Sequence, residues 1–133
     1  MRIFAWRSVA ISIGAAVCLA AANGCGGLSP EERAAQECRE TSTEAHRYVD
    51  EGGVLLDVRP VAQYTQQHIT DAVNMPVESI EERMEDELER DVTLVIYDDE
   101  NDEGEERAER AGEILRQAGF RVFVLGKMST WFC

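Results

Sequence analysis

Short apolar runs recur along the chain and predict the strands of a sheet. Val54–Val58 shows no alternation of apolar and polar residues and is preceded by two glycines, which is typical of a strand buried on both faces. The other predicted strands are Ala72–Met75, Val92–Tyr97 and Arg121–Leu125, with a short edge strand at Cys38–Thr41. Strands of this kind indicate a parallel sheet.

Helical patterns alternate with these strands. Thr41 and Glu44 form a capping-box pattern that opens a helix ending at Gly52, after a polar lead-in. The other predicted helices start at Pro60, run through Ile80, Met84 and Leu88, and cover Arg107–Ala118. The predicted fold class is therefore α/β, with a small parallel β-sheet flanked by helices on both faces.

Residues 1–24 have the pattern of a secretory signal peptide. Arg2 and Arg7 precede an uncharged apolar run at Ser8–Ala22, the order of regions found in such signals. The run is shorter than the roughly 20 apolar residues that a membrane-spanning helix needs. An uncleaved amino-terminal membrane anchor is the alternative interpretation.

Two cleavage patterns overlap at the end of this run. Ala20–Ala22 suits ordinary signal peptidase, whereas Ala22–Cys25 resembles a bacterial lipobox, in which the cysteine thiol receives a diacylglycerol. We favour lipid attachment at Cys25, with residues 25–37 as the tether and residues 38–133 as the folded domain. The predicted protein is exported and held on the membrane by its lipid, facing the periplasm or the cell exterior.

The chain is strongly acidic, with a net charge of −13. Loss of residues 1–24 removes Arg2 and Arg7 but no acid, so 11 basic residues against 26 acids give −15. Nucleic acid and anionic lipid surfaces repel such a chain. A charged partner is therefore expected to be a basic protein or a cation, although the charge can also serve solubility alone.

Two cysteines remain once the signal is removed and Cys25 is acylated. Cys38 and Cys133 can pair in an oxidising envelope, and the bond would close nearly the whole domain. Two free thiols are the alternative, and the sequence leaves both possibilities open.

Two clusters of residues stand out within residues 38–133. The first is Val54–Arg59, Tyr64, His68–Ile69 and Ala72–Pro76; the second is Val92–Tyr97, Arg107, Ala118–Phe120 and Trp131. Together they resemble the rhodanese domain family. The resemblance implies structural roles for Asp57, Arg59, His68, Asn74 and Pro76. Asp57 and Arg59 are expected to form a charge-assisted pair, and Trp131 to cover the core. Gln67 and Asp71 depart from the family, which often has glycine there.

The segment that carries the chemistry of active rhodaneses differs here. In those proteins a cysteine follows the fourth strand, and backbone N–H groups of a six-residue loop surround its sulfur. Residues 98–106 contain no cysteine. Counting from the preceding strand puts Asp98 at the nucleophile position. Counting back from Gly119 puts Asp102 there, makes the loop four residues longer and keeps Arg107 on the family's pattern.

This acidic segment also opposes an anionic substrate, since seven of its nine residues are acids. Against a dianion about 10 Å away, each carboxylate costs roughly 0.8 kcal/mol before salt screening. The same acids oppose an aspartyl nucleophile at Asp98 or Asp102. The resemblance therefore implies a non-catalytic binding or scaffolding domain without a cofactor. The alternative is a thiosulfate-type sulfurtransferase or thiol redox protein that uses Cys38 or Cys133.

Three hypotheses remain for the acidic segment itself. Asp98, Glu100, Asp102 and Glu109 have the offsets of a calcium-binding loop, although Gly104 falls one position late. The segment can instead dock a basic protein partner. It can also be a solvated insertion whose acids favour the start of a helix.

Overall fold

The computed structural model describes residues 26–133, in which four helices alternate with four strands. The helices are α1 (Pro30–Asp50), α2 (Val61–Gln66), α3 (Ile80–Glu87) and α4 (Asp102–Gln117). The strands are β1 (Val54–Asp57), β2 (Val73–Asn74), β3 (Thr93–Asp98) and β4 (Arg121–Lys127). Short 3₁₀ helices follow at Val77–Ser79 and at Met128–Phe132, and the second is called the last 3₁₀ helix below.

The strands form one parallel sheet in the order β2-β1-β3-β4. β1 and β3 are central, and most of their residues are buried, as their unbroken apolar runs predicted. The register between β3 and β4 shifts between Ile96 and Tyr97, because Leu125 is an additional residue on β4 and Gly126 lies opposite Tyr97. β4 continues to Lys127, beyond its predicted end. The predicted α/β class and parallel sheet are confirmed.

Each face of the sheet carries its own apolar core. On one face, Leu56, Leu94 and Ile96 of the central strands pack with residues of α3 and α4, among them Ile80 and Leu115. On the other face, the core contains Ala45 of α1, Leu55, Val95 and Tyr97, with Trp131 packed against them. Burial of these side chains on both faces holds the ends of the strands in place.

α1 is longer than the sequence pattern predicted. The helix is continuous from Pro30, so the predicted edge strand at Cys38–Thr41 is wrong, and the predicted domain boundary at residue 38 lies inside the helix. The hydroxyl of Thr41 donates to the carbonyl of Glu37 at 2.9 Å, a bond that accommodates a polar β-branched residue within a helix. Nearly all side chains of residues 30–40 are exposed, so this half of α1 extends beyond the packed core.

The capping box of α1 is formed by Ser29 and Glu32 and not, as the sequence pattern predicted, by Thr41 and Glu44. The Glu32 N–H donates to Ser29 Oγ at 3.2 Å, and the Ser29 N–H donates to a Glu32 carboxylate oxygen at 2.8 Å. The backbone bond from Ser29 is the largest cause that lowers the pKa of Glu32. The pattern at Thr41 and Glu44 has no such role, because N–H groups inside a helix already have carbonyl partners.

The predicted signal peptide and the lipid-attachment residue Cys25 lie outside the described residues. Within residues 26–133, no helix combines the length and the apolar character that crossing a bilayer requires.

Candidate functional site at the carboxyl edge of the sheet

Two aspartates end the central strands and lie at the same edge of the sheet. β1 ends at Asp57 and β3 at Asp98, and neither side chain is exposed to solvent. Because the strands are parallel, both carboxylates meet the loops that follow, which is where open α/β sheets usually carry their sites. A buried carboxylate must be paired or hydrogen-bonded, so its partners define what the site can do.

Asp57 is held by Arg59, which is itself buried. The Arg59 guanidinium donates to both carboxylate oxygens of Asp57, with a shortest distance of 2.6 Å, and it also donates to the carbonyl of Gln67 at 2.6 Å. Hydrogen bonding to Asp57 is the largest cause that raises the pKa of Arg59. The pair therefore fixes the chain between α2 and β2 to the end of β1, a positioning role and not a reactive one.

Asp98 forms a second ion pair, with Arg107 of α4. The Arg107 Nη2 donates to Asp98 Oδ1 at 2.6 Å, and its Nε donates to Oδ2 at 3.2 Å. The backbone N–H of Asp99 also donates to Oδ1 at 2.6 Å. Hydrogen bonding to Asp98 is the largest cause that raises the pKa of Arg107. Both oxygens of Asp98 thus have donors within the chain, and neither faces solvent.

The rest of the loop is also bonded to the domain. The Asp99 carboxylate lies 3.6 Å from Arg59. Glu100 accepts hydrogen bonds from the backbone N–H of Ser129 at 2.6 Å and from the Ser129 hydroxyl at 2.5 Å, so it joins the loop to the last 3₁₀ helix. Three consecutive acids therefore bind α4, Arg59 and the last 3₁₀ helix, so the loop is fixed to three parts of the domain.

The backbone of this loop leads directly into α4. Asn101 caps the helix, and its side chain accepts a hydrogen bond from the Gly104 N–H at 2.7 Å. Only three residues separate Asp98 from Asp102, the first residue of α4. The loop between β3 and α4 therefore comprises residues 99–101. Asp98 occupies the strand-end position and Asp102 lies in the first helical turn.

The four residues of the predicted calcium-loop pattern are not brought together. Asp98 is buried against Arg107, Glu100 binds Ser129, and Asp102 and Glu109 are exposed along α4. Within residues 26–133, no group of three or more potential metal-ligating side chains is present. Among the acids of the segment that belong to α4, Asp102, Glu103 and Glu106 have no basic side chain within 4 Å among the described residues. They lie in the first turns of α4, where negative charge is favoured by the helix dipole.

The other residues of the family motif have local structural contacts. Asn74 donates from Nδ2 to the carbonyls of Asp57 and Arg59, at 3.0 and 2.9 Å. Pro76 lies after β2 and directly precedes the first 3₁₀ helix. His68 is exposed; its Nδ1 lies 2.9 Å from the Tyr64 carbonyl, and its ring stacks on Tyr64.

Tyr97 joins β3 to the chain segment before β2 on one face of the sheet. Its side chain is fully buried beside Asp98, and its hydroxyl accepts a hydrogen bond from the Ile69 N–H at 3.1 Å. Burial is the largest cause that raises the pKa of this hydroxyl. The sequence showed Tyr97 only as part of an apolar strand, so its polar contact was not predicted.

The two remaining cysteines are joined. Cys38 of α1 and Cys133 form a disulfide with a Cα–Cα distance of 5.7 Å, which closes a span of 95 residues. Of the two possibilities that the sequence left open, the structure contains the paired one. The bond holds α1 to the end of the last 3₁₀ helix, and the Ser42 hydroxyl reinforces this contact by donating to the Trp131 carbonyl at 2.9 Å.

Comparison with known proteins agrees with this fold. The sequence model of the rhodanese-like domain family matches residues 41–131. The chain therefore belongs to the rhodanese-like domain family. No curated protein matches it significantly.

Solved structures give the same result. The Rhodanese_3-like domain of the Alr3790 protein from Anabaena sp. is 32% identical, with a TM-score of 0.53 over 60% of this chain and 90% of that one. A protein from Lactobacillus plantarum is 30% identical, with a TM-score of 0.55 over 68% of this chain and 76% of that one. Reduced CoADR-RHD from Bacillus anthracis is 25% identical, with a TM-score of 0.57 over 68% of this chain but 15% of that one.

Proposed function

We propose that this rhodanese-like domain binds or scaffolds another protein and does not transfer sulfur. The observation that carries the proposal is the Asp98–Arg107 ion pair at the end of β3. A carboxylate stands where an active member of the family would carry its thiolate. The arginine beside it is neutralised within the chain and is not available to bind an anionic substrate.

The backbone hydrogen bonds of the loop between β3 and α4 support the same conclusion. Thiolate chemistry needs backbone N–H groups that point at the sulfur. Here the N–H of Asp99 donates to Asp98, and the N–H groups of Gly104 and Glu105 donate to Asn101. An aspartyl nucleophile is opposed as well, because Asp98 has no solvent-exposed surface from which to attack.

The alternative is a sulfurtransferase or thiol redox protein that uses Cys38 or Cys133. Their disulfide leaves neither sulfur as a thiolate, so such an activity requires a dithiol reductant first. The disulfide joins α1 to the end of the last 3₁₀ helix, and neither cysteine belongs to the loop after β3.

A sulfurtransferase assay on a soluble protein that starts at residue 26 tests this proposal. Thiosulfate and cyanide are supplied, and thiocyanate is measured with and without dithiothreitol, beside an active rhodanese as positive control. We expect no thiocyanate above the uncatalysed rate. Turnover that disappears in the double variant Cys38→Ser, Cys133→Ser would establish the alternative. Turnover that persists in that variant would show that another group of the domain reacts.

We also propose that the protein is exported and anchored by a lipid on Cys25. The sequence pattern of residues 1–25 supports this, and so does the disulfide, because such bonds persist in oxidising compartments. Detergent phase partitioning and intact mass of the extracted protein test it. We expect a diacylglycerol-modified protein in the detergent phase and a Cys25→Ser variant in the aqueous phase. Wild-type protein in the aqueous phase without added lipid mass would contradict the proposal.

A further inference from the structure

A groove lies at the edge of the sheet opposite the Asp98 loop. It has a volume of about 470 Å³ and is lined by Val49, Gly53–Leu55, His68–Asp71, Val73 and Trp131–Phe132. We call it the Asp71 groove. Its floor contains the first residues of β1, whereas Asp98 is the last residue of β3. Because the strands are parallel, the groove is separate from the candidate site described above.

The walls of the Asp71 groove expose apolar side chains. Val73 is 41% exposed and Phe132 is 70% exposed. They are two of the four large hydrophobic residues that are exposed within residues 26–133, and both line this groove. Single exposed apolar residues are common, but two that flank one concave surface mark a place where another molecule can bind.

The groove is also negatively charged. It lies beside the carboxyl end of α1, where the helix dipole is negative and Asp50 is exposed, whereas the neighbouring Glu51 is paired with Arg47. Asp71 contributes a carboxylate, and none of the described residues that line the groove is lysine or arginine. A ligand with a positive charge beside an apolar group therefore complements the surface in both respects.

Asp71 itself has an unusual backbone conformation. Its φ angle is 65°, in the left-handed region that favours glycine. The carboxylate is exposed and has no hydrogen-bond or ion-pair partner among the described residues. The acid thus occupies a backbone position where glycine is easier, and its charge is free to meet a ligand.

We propose that the Asp71 groove binds a segment of a partner protein that carries arginine or lysine next to a large apolar side chain. This inference rests on the proposed binding function and names the chemistry of its partner. A second copy of the domain is disfavoured as the occupant, because each copy has an excess of acids and the groove itself is acidic. The apolar side chain contacts Val73 and Phe132, and the cation faces Asp71.

The experiment is a titration followed by ¹⁵N–¹H NMR on a soluble protein that starts at residue 26. Both apolar cores lie within this region, so it folds as a unit. The probe is the acetylated, amidated tetrapeptide Phe-Arg-Leu-Arg. Ala-Arg-Ala-Arg keeps the charge without the apolar groups, and Phe-Gln-Leu-Gln keeps the apolar groups without the charge. We expect the first peptide to shift the signals of Asp71, Val73 and the Trp131 indole, and both controls to bind more weakly.

Single substitutions test which residues of the Asp71 groove contribute to peptide binding. We expect Asp71→Asn to weaken binding about threefold and Phe132→Ala about tenfold. Asparagine tolerates the left-handed region, so Asp71→Asn leaves the backbone unstrained. Asp86→Asn on α3 and Val61→Ala on α2 are matched controls, both exposed and outside the groove. They should bind as the wild type does.

Four results would overturn the inference. They are peptide shifts confined to residues 98–106, equal binding by all variants, equal binding of the uncharged peptide, or groove signals that change on dilution without peptide. The last result would show a dimer. None of these affects the proposed function, which fails only if the sulfurtransferase assay produces thiocyanate.

Discussion

The Arg107 guanidinium donates to both carboxylate oxygens of Asp98, and Asp98 is fully buried while Arg107 retains 29% of its side-chain exposure. The two residues are nine positions apart and lie on different elements, the end of β3 and the second turn of α4. Their bond therefore sets how α4 begins relative to the sheet. Under the proposed function, Asp98 also occupies the position from which chemistry would start in an active member of the family.

Removal of the arginine should destabilise the domain. Arg107→Ala leaves the buried Asp98 carboxylate without a cation, and we expect the free energy of unfolding to fall by about 2 to 3 kcal/mol, since the partial exposure of Arg107 reduces the penalty of a fully buried charge. Arg107→Lys should recover part of the loss, because lysine supplies charge without two parallel donors. Urea unfolding measures both.

Arg110→Ala is the matched control, because Arg110 is exposed on the same helix and has no ion-pair partner among the described residues. Its effect should stay within about 0.5 kcal/mol. Equal loss of unfolding free energy in the two alanine variants would show that the Asp98–Arg107 pair does not stabilise the domain.

A cysteine at the strand end should not create a sulfurtransferase. Asp98→Cys places a thiol at the position that we propose corresponds to the nucleophile of active members, but the N–H groups of Gly104 and Glu105 remain bonded to Asn101 and the surrounding acids still repel thiosulfate. We expect no thiocyanate production in the double background Cys38→Ser, Cys133→Ser, and a lower stability from loss of the Arg107 pair. Measurable turnover would show that the missing thiol is the only barrier to activity.

The sheet and the Asp57–Arg59 pair were predictable, for different physical reasons. β1 and β3 are short apolar runs, and a run of that kind is explained by burial on both faces. The pair was expected from the family resemblance, and in the structure both side chains are buried and bonded to each other. In both cases the residues concerned are close together in the sequence.

Local pattern was insufficient for α1 and for the acidic segment. α1 is held by bonds to residues about 90 positions away, Cys38 to Cys133 and Ser42 to Trp131, which no local pattern contains. In the acidic segment, seven residues of similar type compete for one buried position. The sequence alone does not distinguish Asp98 from Asp102; in the structure Asp98 ends β3 and is the residue that pairs with Arg107.

Gly104 is a further residue whose role depends on a close approach. A Cβ atom there would lie 2.8 Å from the backbone nitrogen and oxygen of Asp99. We expect Gly104→Ala to lower the free energy of unfolding by about 1 to 2 kcal/mol, because the loop must move and alanine's better helix propensity offsets only part of the cost. Gly27→Ala is the control, since nothing lies within 4 Å of a Cβ at that position. No loss in Gly104→Ala would mean that the loop adjusts freely.

Alkaline pH should weaken the domain through Tyr97. Burial raises the pKa of the Tyr97 hydroxyl in the folded state, so its contribution is complete below about pH 10, the value for an exposed tyrosine, and is lost as pH rises above it. We expect wild type to lose more stability than Tyr97→Phe between pH 7 and about pH 10.5.

Tyr97→Phe should already be less stable at pH 7, by about 1 to 2 kcal/mol, because the Ile69 N–H loses its acceptor. The comparison therefore concerns the change with pH and not the absolute stability. Parallel losses in the two proteins would indicate that Tyr97 does not cause the alkaline transition.

The disulfide should supply a large part of the stability. Cys38 and Cys133 close a span of 95 residues, and loop-closure entropy predicts about 4 to 5 kcal/mol for a loop near that length. We expect the double variant Cys38→Ser, Cys133→Ser to unfold at a correspondingly lower urea concentration. Wild-type protein in dithiothreitol should match it, and dithiothreitol should leave the double variant unchanged.

Hydrogen exchange then shows which elements the bond holds. Among residues 30–40 only the side chain of Cys38 is partly buried, and its disulfide to Cys133 attaches this half of α1 to the end of the last 3₁₀ helix. We expect amide protection to fall first in this half of α1 and in the last 3₁₀ helix, while β1 and β3 stay protected by the two cores. A uniform loss of protection across the sheet would contradict this, because it would mean that the bond stabilises only the whole domain and does not fix α1 against its end.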